Sequence, residues 1–308
     1  MQQKISKDKT TKDLLTDNYS LIVQEKYGNQ ISRLTTKRNT KKIPMSKNKI
    51  ARFNDVTAEV ERDLNTATVQ VMDYVNSIFA TSSNQNSDVV EFSIEKYMKD
   101  SNLTNARYAR AKLRKGLDNL LKVTIHIHGG GITGAMHIYS EYKIKRGGHV
   151  IVRLAPTYHK LLCSSLPMPM PKLLFQLNPQ SQATAWYILR TLVENKRMNY
   201  GEPSANRLKI KYILAKCPSL PPYKDIADEG HISRKIIEPF FKSLELLTET
   251  IDYTFIDPAG QPLNYYQDID YDTFADTTLV VKQWDDYPNQ YMLLYTKHRK
   301  AKQQHKRK

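Results

Sequence analysis

The feature that most constrains the fold is a change of hydrophobic period near residue 122. Upstream, residues 104–121 carry apolar side chains at the spacing of an α-helix. Downstream, residues 123–154 alternate between apolar and polar side chains, and two glycine clusters interrupt the alternation. A short helix is predicted ahead of both segments, at 94–99. The order helix, turn, helix, sheet predicts a winged helix that ends in a three-stranded meander.

The second half of the chain repeats this plan with different residues. A proline-rich segment at 166–180 is the expected junction between the halves. The sequence therefore predicts an α+β protein with two tandem winged-helix domains, 56–166 and 167–296, each long enough to bury its own core. The first domain is predicted to begin with a helix inside 58–80. The helical and alternating patterns of the second domain are 181–198, 231–247, 250–257 and 278–284.

The net charge of +16 is concentrated at the two ends of the chain. Residues 1–55 hold 13 Lys or Arg against 5 Asp or Glu, and residues 297–308 hold 7 against none. Between them, 27 basic side chains are balanced by 26 acidic ones. Basic ends attract phosphate backbones whatever the base sequence. We interpret residues 1–55 as a flexible basic arm and 297–308 as a basic tail; the alternative is that both only aid solubility.

Composition also excludes several classes of protein. No run approaches the roughly 18 apolar residues of a membrane helix, and the first twenty residues lack the apolar core of a signal peptide. We therefore expect a cytoplasmic protein that does not contact membranes. Cys163 and Cys217 stand in no paired spacing, which argues against a disulfide framework and a zinc site. Because no phosphate-binding loop motif is present, we expect no ATP hydrolysis. We also expect no cofactor.

The helix that ends near Leu121 carries the first candidate DNA-binding surface. Thr104 or Asn105 is the predicted N-cap. At the helical period of about 100° per residue, the predicted buried arc spans about 80° and holds Ala106, Ala109, Leu113, Leu117 and Leu120. The basic residues lie outside it, with Arg107, Arg110 and Arg114 in an adjacent arc, Lys115 beside them and Lys112 further round. Such a helix suits the major groove of DNA; the alternative is a solvated basic helix.

The second candidate surface lies on the helical pattern at 231–247. An apolar stripe predicts its buried side, and the residues predicted to contact DNA are His231, Ser233, Arg234, Lys235 and Lys242. Pro239 lies inside this pattern, where it removes a backbone donor. Either the helix kinks at Pro239, or its regular part starts there after a preceding turn.

The stretch "VTIHIHGGGITGAMHIYSEYK" at 123–143 allows an enzymatic interpretation. His126 and His128 would point to one face of a strand, as a metal site needs. Tyr139 would then be the nucleophile of a metal-dependent HUH-type DNA nickase, assisted by Lys143. Three observations disfavour this interpretation. Tyr139 lies in an alternating strand pattern, only ten residues separate it from His128, and the nearest third metal ligand is Glu141 on the same hairpin.

We therefore favour a β-wing for this stretch and expect no metal and no catalytic residues. Glycines at its tip, "HGGGITG", supply the backbone freedom that a close approach to phosphates needs. Lys143, Lys145 and Arg146 would extend the positive surface along the next strand and turn. In this interpretation the wing positions the protein, while the arginines of the preceding helix read bases.

Four segments together resemble one known family. They are "EFSIEKYMKDSNLTNARYARAKLRKGLDNLLKVTIHI", "GGHVIVRLAPTYHKLL", "PKLLFQLNPQSQATAWYILRTL" and "YKDIADEGHISRKIIEPFFKSLELL". In layout and hydrophobic pattern, residues 56–290 are similar to the replication initiator (Rep) proteins of iteron-bearing plasmids. The long basic arm and the acidic segment "QDIDYDTFAD" depart from that family's pattern.

The resemblance implies a tandem winged-helix protein that binds directly repeated double-stranded sites at an origin. It further implies a dimer and recruitment of the host replication initiator and helicase. We therefore expect a sequence-specific DNA-binding protein that initiates replication of a plasmid or mobile element. Two alternatives remain: the HUH-type nickase of rolling-circle replication, and a winged-helix transcriptional regulator.

Overall fold

A computed structural model of the chain divides into two compact units, Met1–Gln176 and Leu177–Lys308. The structure describes residues 15–23, 49–53, 56–60, 65–129, 132–165, 167–263, 269–294 and 296. The division lies within the proline-rich segment, later than the predicted boundary after residue 166. It is later because a strand at Met168–Pro171 pairs with Tyr19–Ile22 in the first unit. The predicted basic tail at 297–308 lies outside the described residues.

The first unit combines helices with short antiparallel strands. Its helices are α1 (Thr66–Thr81), α2 (Ile94–Asp100), α3 (Ala106–Leu121), α4 (Pro156–Ser164) and α5 (Leu173–Gln176). Its strands are β1 (Tyr19–Ile22), β2 (Lys49–Phe53), β3 (Val56–Val60), β4 (Val89–Ser93), β5 (Thr124–Gly129), β6 (Ile132–His137), β7 (Tyr139–Ile144), β8 (His149–Leu154) and β9 (Met168–Pro171).

The alternating segment 123–154 forms four strands in two sheets, not one three-stranded meander. β5 and β6 belong to a sheet of order β2-β3-β5-β6, whereas β7 and β8 belong to a sheet of order β4-β8-β7. The chain passes between the sheets at Ile138, whose side chain is fully buried. The prediction failed because a period of two marks a strand but does not identify its partner.

The predicted arm at 1–55 contains ordered strands, so the prediction of a wholly flexible segment is wrong in two places. β1 packs against α1 and pairs with β9, and its Leu21 and Ile22 are buried. β2 pairs with β3. The apolar run at 21–23 is short and stands among polar residues, so local pattern alone did not predict a strand. Residues 1–14 and 24–48 lie outside the described part of the chain.

α1 begins later than the helix predicted inside 58–80. Residues 56–60 form β3, and the helix starts at Thr66. The side chain of Asn65 accepts a hydrogen bond from the Thr68 amide at 2.8 Å, which caps the first turn. By spacing alone, the apolar residue Val60 fits either a strand or a helix. The hydrophobic pattern therefore did not give the first residue of α1, whereas the N-cap at Asn65 does.

α1 and α3 pack in close contact at Gly116. A Cβ on this residue would lie 2.7 Å from Val71 Cγ2 and 2.9 Å from Val71 Cβ. We expect Gly116→Ala to lower the free energy of unfolding by about 1–3 kcal/mol, because a β-branched neighbour cannot move away and overpacking outweighs the gain in helix propensity. Urea unfolding of the full chain measures this change.

Two further variants make this prediction specific. Gly134→Ala is the matched control, since a Cβ there meets nothing within 4 Å. Adding Val71→Ala to Gly116→Ala removes the clashing methyl groups and should recover part of the lost stability. A Gly116→Ala protein as stable as the parent would show that the two helices separate without cost.

The second unit also mixes helices with one antiparallel sheet. Its strands β10 (Arg207–Lys209), β11 (Ile251–Ile256) and β12 (Thr278–Trp284) follow the order β10-β12-β11. Its core holds Trp186 and the edge-to-face pair Phe240 and Phe274, whose ring centroids are 5.4 Å apart. The helices are α6 (Ala183–Met198), α7 (Ile210–Leu214), α8 (Glu238–Glu245) and α9 (Tyr271–Asp276).

A π-helical turn at Ser233–Ile237 accommodates Pro239. The amide of Glu238 donates to the carbonyl oxygen of Ser233, five residues earlier, and α8 begins at Glu238 with Pro239 in its first turn. In that turn the missing proline N–H costs little, because first-turn amides have no partner within the helix. Of the two predicted alternatives, the structure therefore has the regular helix that comes after a preceding turn.

Across the described part of the chain, every helix is too short or too polar to cross a bilayer.

Candidate nucleic-acid interface

α3 presents a basic face because its apolar residues hold the opposite face in the core. The side chain of Asn105 accepts from the Tyr108 amide at 2.9 Å and caps the helix. The predicted buried residues are confirmed except Ala106, which is exposed because the first turn projects beyond the packing surface. Gly116 joins the buried set through its contact with α1. The buried residues are Ala109, Leu113, Gly116, Leu117 and Leu120.

Three of the predicted basic residues of α3 lie on its solvent-exposed side. Arg107, Arg114 and Lys115 are all exposed. At about 100° per residue they lie within one arc of about 100°, opposite the buried leucines. Guanidinium groups on such a face match the paired acceptors on the major-groove edge of guanine. This arc of α3 can therefore make both phosphate and base contacts.

Arg110 has a different position, because its guanidinium group is held by the turn between β7 and β8. Its Nη1 donates to the Lys145 carbonyl at 3.4 Å and its Nη2 to the Arg146 carbonyl at 3.3 Å. Those bonds join α3 to the 145–148 turn. Arg110 thus positions the turn relative to the helix and uses part of its hydrogen-bonding capacity to do so.

The 145–148 turn is itself rigidly built. The Lys145 amide donates to the His149 carbonyl at 2.9 Å, and Gly148 adopts a positive φ of 80° that favours glycine. The carbonyl of Gly148 accepts from the Ile94 amide at 2.8 Å, which fixes the turn to the start of α2. Lys145 and Arg146 are exposed on this turn. Two cations are therefore held at a fixed place beside the basic face of α3.

β7 is also tied to α3 on its exposed side. The Tyr142 hydroxyl donates to the Asp118 carboxylate. Partial burial and this bond raise the pKa of Tyr142 to about 12, so the hydroxyl keeps its proton at neutral pH. Lys143, one residue further along β7, is exposed and lies 3.9 Å from Glu141. An exposed ion pair of this length leaves Lys143 accessible to phosphate.

Lys112 lies apart from the other cations of α3. Its Nζ donates to Gln70 Oε1 on α1 at 2.8 Å, and Gln70 Nε2 in turn donates to the Leu174 carbonyl at 2.8 Å. Burial lowers the pKa of Lys112 to about 8. The structure therefore places this predicted contact residue between helices, where it connects α3 through α1 to α5.

The predicted contact residues of the second unit surround the π-helical turn and α8. His231, Ser233 and Arg234 are exposed, whereas Lys235 is half-buried. Lys242 is exposed on α8, with its Nζ 3.9 Å from Glu238. The π-helical turn lets the residues before Pro239 adopt a different pitch from α8. The structure thus brings His231 to Lys235 together and sets Lys242 further along the helix.

The "IHIH" segment and Tyr139 lie in different sheets. His126 and His128 are on β5, but their side chains lie outside the described residues, as does the glycine tip at 130–131. Tyr139 is on β7, and its ring is 1% exposed. Burial raises the pKa of Tyr139 well above its usual value. The turn that the structure places beside α3 is 145–148.

The sequence predicted Lys145 and Arg146 as contact residues on a turn, but not that this turn is held against α3. Gly147 and Gly148 separate two alternating segments, which is a hairpin signature. What the sequence did not reveal is the contact between this turn and Arg110, which lies 35 positions before Lys145. Gln70 was also missed, because a single glutamine in a helix has no distinguishing pattern.

Comparison with known proteins links this chain to others by fold rather than by sequence. No protein-family model matches the chain, and no curated protein matches it. A crystal structure of selenomethionine derivatives of domains 2 and 3 of RctB matches with a TM-score of 0.54 at 7% identity, over 83% of this chain and 96% of that one. The chain shares its fold with domains 2 and 3 of RctB. A second structure of RctB domains 2–3 aligns over 86% of this chain and 99% of its own, with a TM-score of 0.47 and 8% identity.

Proposed function

We propose that this chain is a sequence-specific double-stranded DNA-binding protein that initiates replication of a plasmid or related mobile element at repeated origin sites. Each of its two units acts as a winged-helix module. α3 enters the major groove in the first module, and the segment from His231 to Lys242 does so in the second. The observation that most strongly supports DNA binding is the exposed basic face of α3. Arg110 joins this helix to a hydrogen-bonded turn that bears Lys145 and Arg146.

Three further observations support this proposal. The excess positive charge lies at the two ends of the sequence, where it adds attraction to any phosphate backbone. The fold similarity to RctB, a replication initiator, supports a role in replication initiation. The resemblance to plasmid initiators in residues 56–290 supports direct repeats as the DNA site. On the same basis we propose the host replication initiator and helicase as partners and a homodimer as one assembly state. We also propose the cytoplasm as the location.

We propose further that the chain breaks no covalent bond in DNA. The nickase alternative needs Tyr139 as a nucleophile that reaches a phosphodiester, and Tyr139 is 1% exposed within the core of the first unit. The ring of Tyr158 lies next to the ring of Tyr139, with 6.5 Å between their centroids, as expected for a side chain packed in the core. The third alternative, a transcriptional regulator, uses the same DNA contacts but changes transcription on binding and does not start replication.

Binding-site selection with the full chain tests the proposal. Duplexes selected from a randomised library should converge on a short sequence, and the DNA beside the gene should carry that sequence in direct repeats. Affinity should fall by about 10³–10⁵ between 50 and 200 mM salt if six to ten phosphates are contacted. A plasmid that carries the repeats and lacks another origin should replicate when the chain is supplied in trans.

Each alternative predicts a different result in these assays. Binding to the repeats without replication would favour the regulator. Loss of replication in a His126→Ala and His128→Ala variant that still binds the repeats would favour the nickase. Equal affinity for selected and random duplexes would contradict the proposal as a whole.

A further inference from the structure

The exposed face of α3 is not purely basic. Tyr108 is 48% exposed, which makes it the most exposed large apolar side chain among the described residues of the first unit. Ala111 is exposed as well. An isolated exposed ring on a protein surface is ordinary by itself, so its position on the helix decides whether it has a role.

Tyr108 and Ala111 lie within the same arc as the basic residues. When α3 is viewed along its axis, with about 100° between successive residues, Ala111 lies midway between Arg114 and Tyr108 around the helix. Arg107 and Lys115 occupy the intervening positions on its two sides. In the first turns of α3, the centre of the face that points away from the core is therefore a methyl group, with arginines on one side and a lysine and a tyrosine ring on the other. Asp118 lies on this face two turns further along the helix, where its carboxylate accepts a hydrogen bond from the Tyr142 hydroxyl.

The N-cap and the contact with α1 hold this face in place. The Tyr108 amide donates to the Asn105 side-chain oxygen Oδ1 at 2.9 Å, and the Ala109 amide donates to the Asn105 backbone carbonyl at 2.9 Å. On the other side of the helix, Gly116 holds α3 against α1. The small Ala111 side chain lets the helix axis come close to a groove floor, where a longer residue would hold it away.

We propose that Tyr108 and Ala111 determine specificity by contacting the 5-methyl groups of thymines in the major groove. This inference rests on the proposed function, because it requires α3 to be the helix that reads duplex DNA. The thymine methyl is the one apolar group that the major groove presents, and small or aromatic side chains contact it. Arg107 and Arg114 would read guanines beside it. The site is thus expected to contain thymine next to guanine in each repeat.

Deoxyuridine substitution tests this contact, because it removes the methyl group and leaves base pairing unchanged. The probe is the duplex selected by the full chain, with each thymine replaced in turn, and affinity is measured by fluorescence anisotropy. In the parent protein, one or two replacements should weaken binding about four-fold each, as expected for one buried carbon. In Tyr108→Ala or Ala111→Gly, at least one of those effects should disappear, which demonstrates coupling between side chain and methyl.

Matched variants separate a direct contact from a general loss of affinity. Tyr108→Phe keeps the ring and should keep the deoxyuridine effect. Ala111→Leu preserves helix propensity but should weaken binding to the selected duplex at least ten-fold while leaving binding to random duplex unchanged. Tyr212→Ala, which removes a 55% exposed ring on α7, should behave like the parent protein.

Failure of the inference differs from failure of the proposed function. If the parent protein prefers the selected duplex but deoxyuridine has no effect, or has the same effect in every variant, the inference is overturned and the function stands. If the parent protein does not distinguish selected from random duplex, the proposed function itself fails.

Discussion

A double variant in which Arg107 and Arg114 are replaced by alanine is expected to lose its preference for the selected duplex. Both guanidinium groups are exposed on the same arc of α3, opposite the leucines that anchor the helix. A bidentate arginine–guanine pair contributes about 1–3 kcal/mol of discrimination, so losing two should cost about 2–6 kcal/mol. The ratio of affinities for selected and random duplex should therefore fall at least about 30-fold.

The measurement must separate lost base contacts from lost charge. Lys160→Ala combined with Lys282→Ala removes the same charge from exposed positions on α4 and β12, so it is the matched control. That control should weaken binding to both duplexes slightly and leave their ratio unchanged. If the Arg107 and Arg114 variant keeps the ratio of the parent protein, α3 does not read bases, and the segment at 231–242 becomes the candidate reader.

The largest effect on stability is expected from Glu194→Gln in the second unit. Glu194 lies on α6 with a side chain 5% exposed, and its Oε1 is 3.5 Å from Nε of Arg190, which is 3% exposed. The Arg190 guanidinium carbon also lies 4.8 Å from the centroid of the Trp186 ring, deep in the core. The substitution keeps the shape of the side chain but removes a negative charge from beside a buried cation. Breaking a buried pair in this way costs about 3–5 kcal/mol.

An exposed pair with the same spacing provides the control. Lys242 and Glu238 are also four residues apart, but their side chains are 74% and 51% exposed. Glu238→Gln should change the free energy of unfolding by less than about 0.5 kcal/mol. Urea unfolding monitored by tryptophan fluorescence reports on both variants, since Trp186 lies in the affected core. Equal losses in the two variants would show that the buried pair is no more important than the exposed one.

Local pattern was sufficient to predict the helices that bear the candidate interface. The leucine spacing, together with the Asn105 cap, placed α3 within one or two residues of its observed bounds. The apolar stripe of the second unit likewise predicted the burial of Phe240 and Leu244. These predictions succeeded because a helix is stabilised by contacts between residues three and four apart, which the sequence displays directly.

Strand partners and the roles of individual cations could not be predicted in the same way. Arg110, Lys112 and Arg114 are not distinguished by the sequence pattern. In the structure Arg110 holds the 145–148 turn, Lys112 donates to Gln70, and Arg114 is exposed to solvent. The first two outcomes depend on residues more than thirty positions away along the chain. No local period carries that information.

The amino-acid sequence by itself determined the period of each element, the buried face of each long helix and the uneven distribution of charge. The tertiary structure alone decided which strands pair, which turn is held against α3, and which basic side chains remain available to a ligand. The physical reason is that helical contacts and charge counts are local properties, whereas strand pairing and side-chain hydrogen bonds join residues that are distant along the chain.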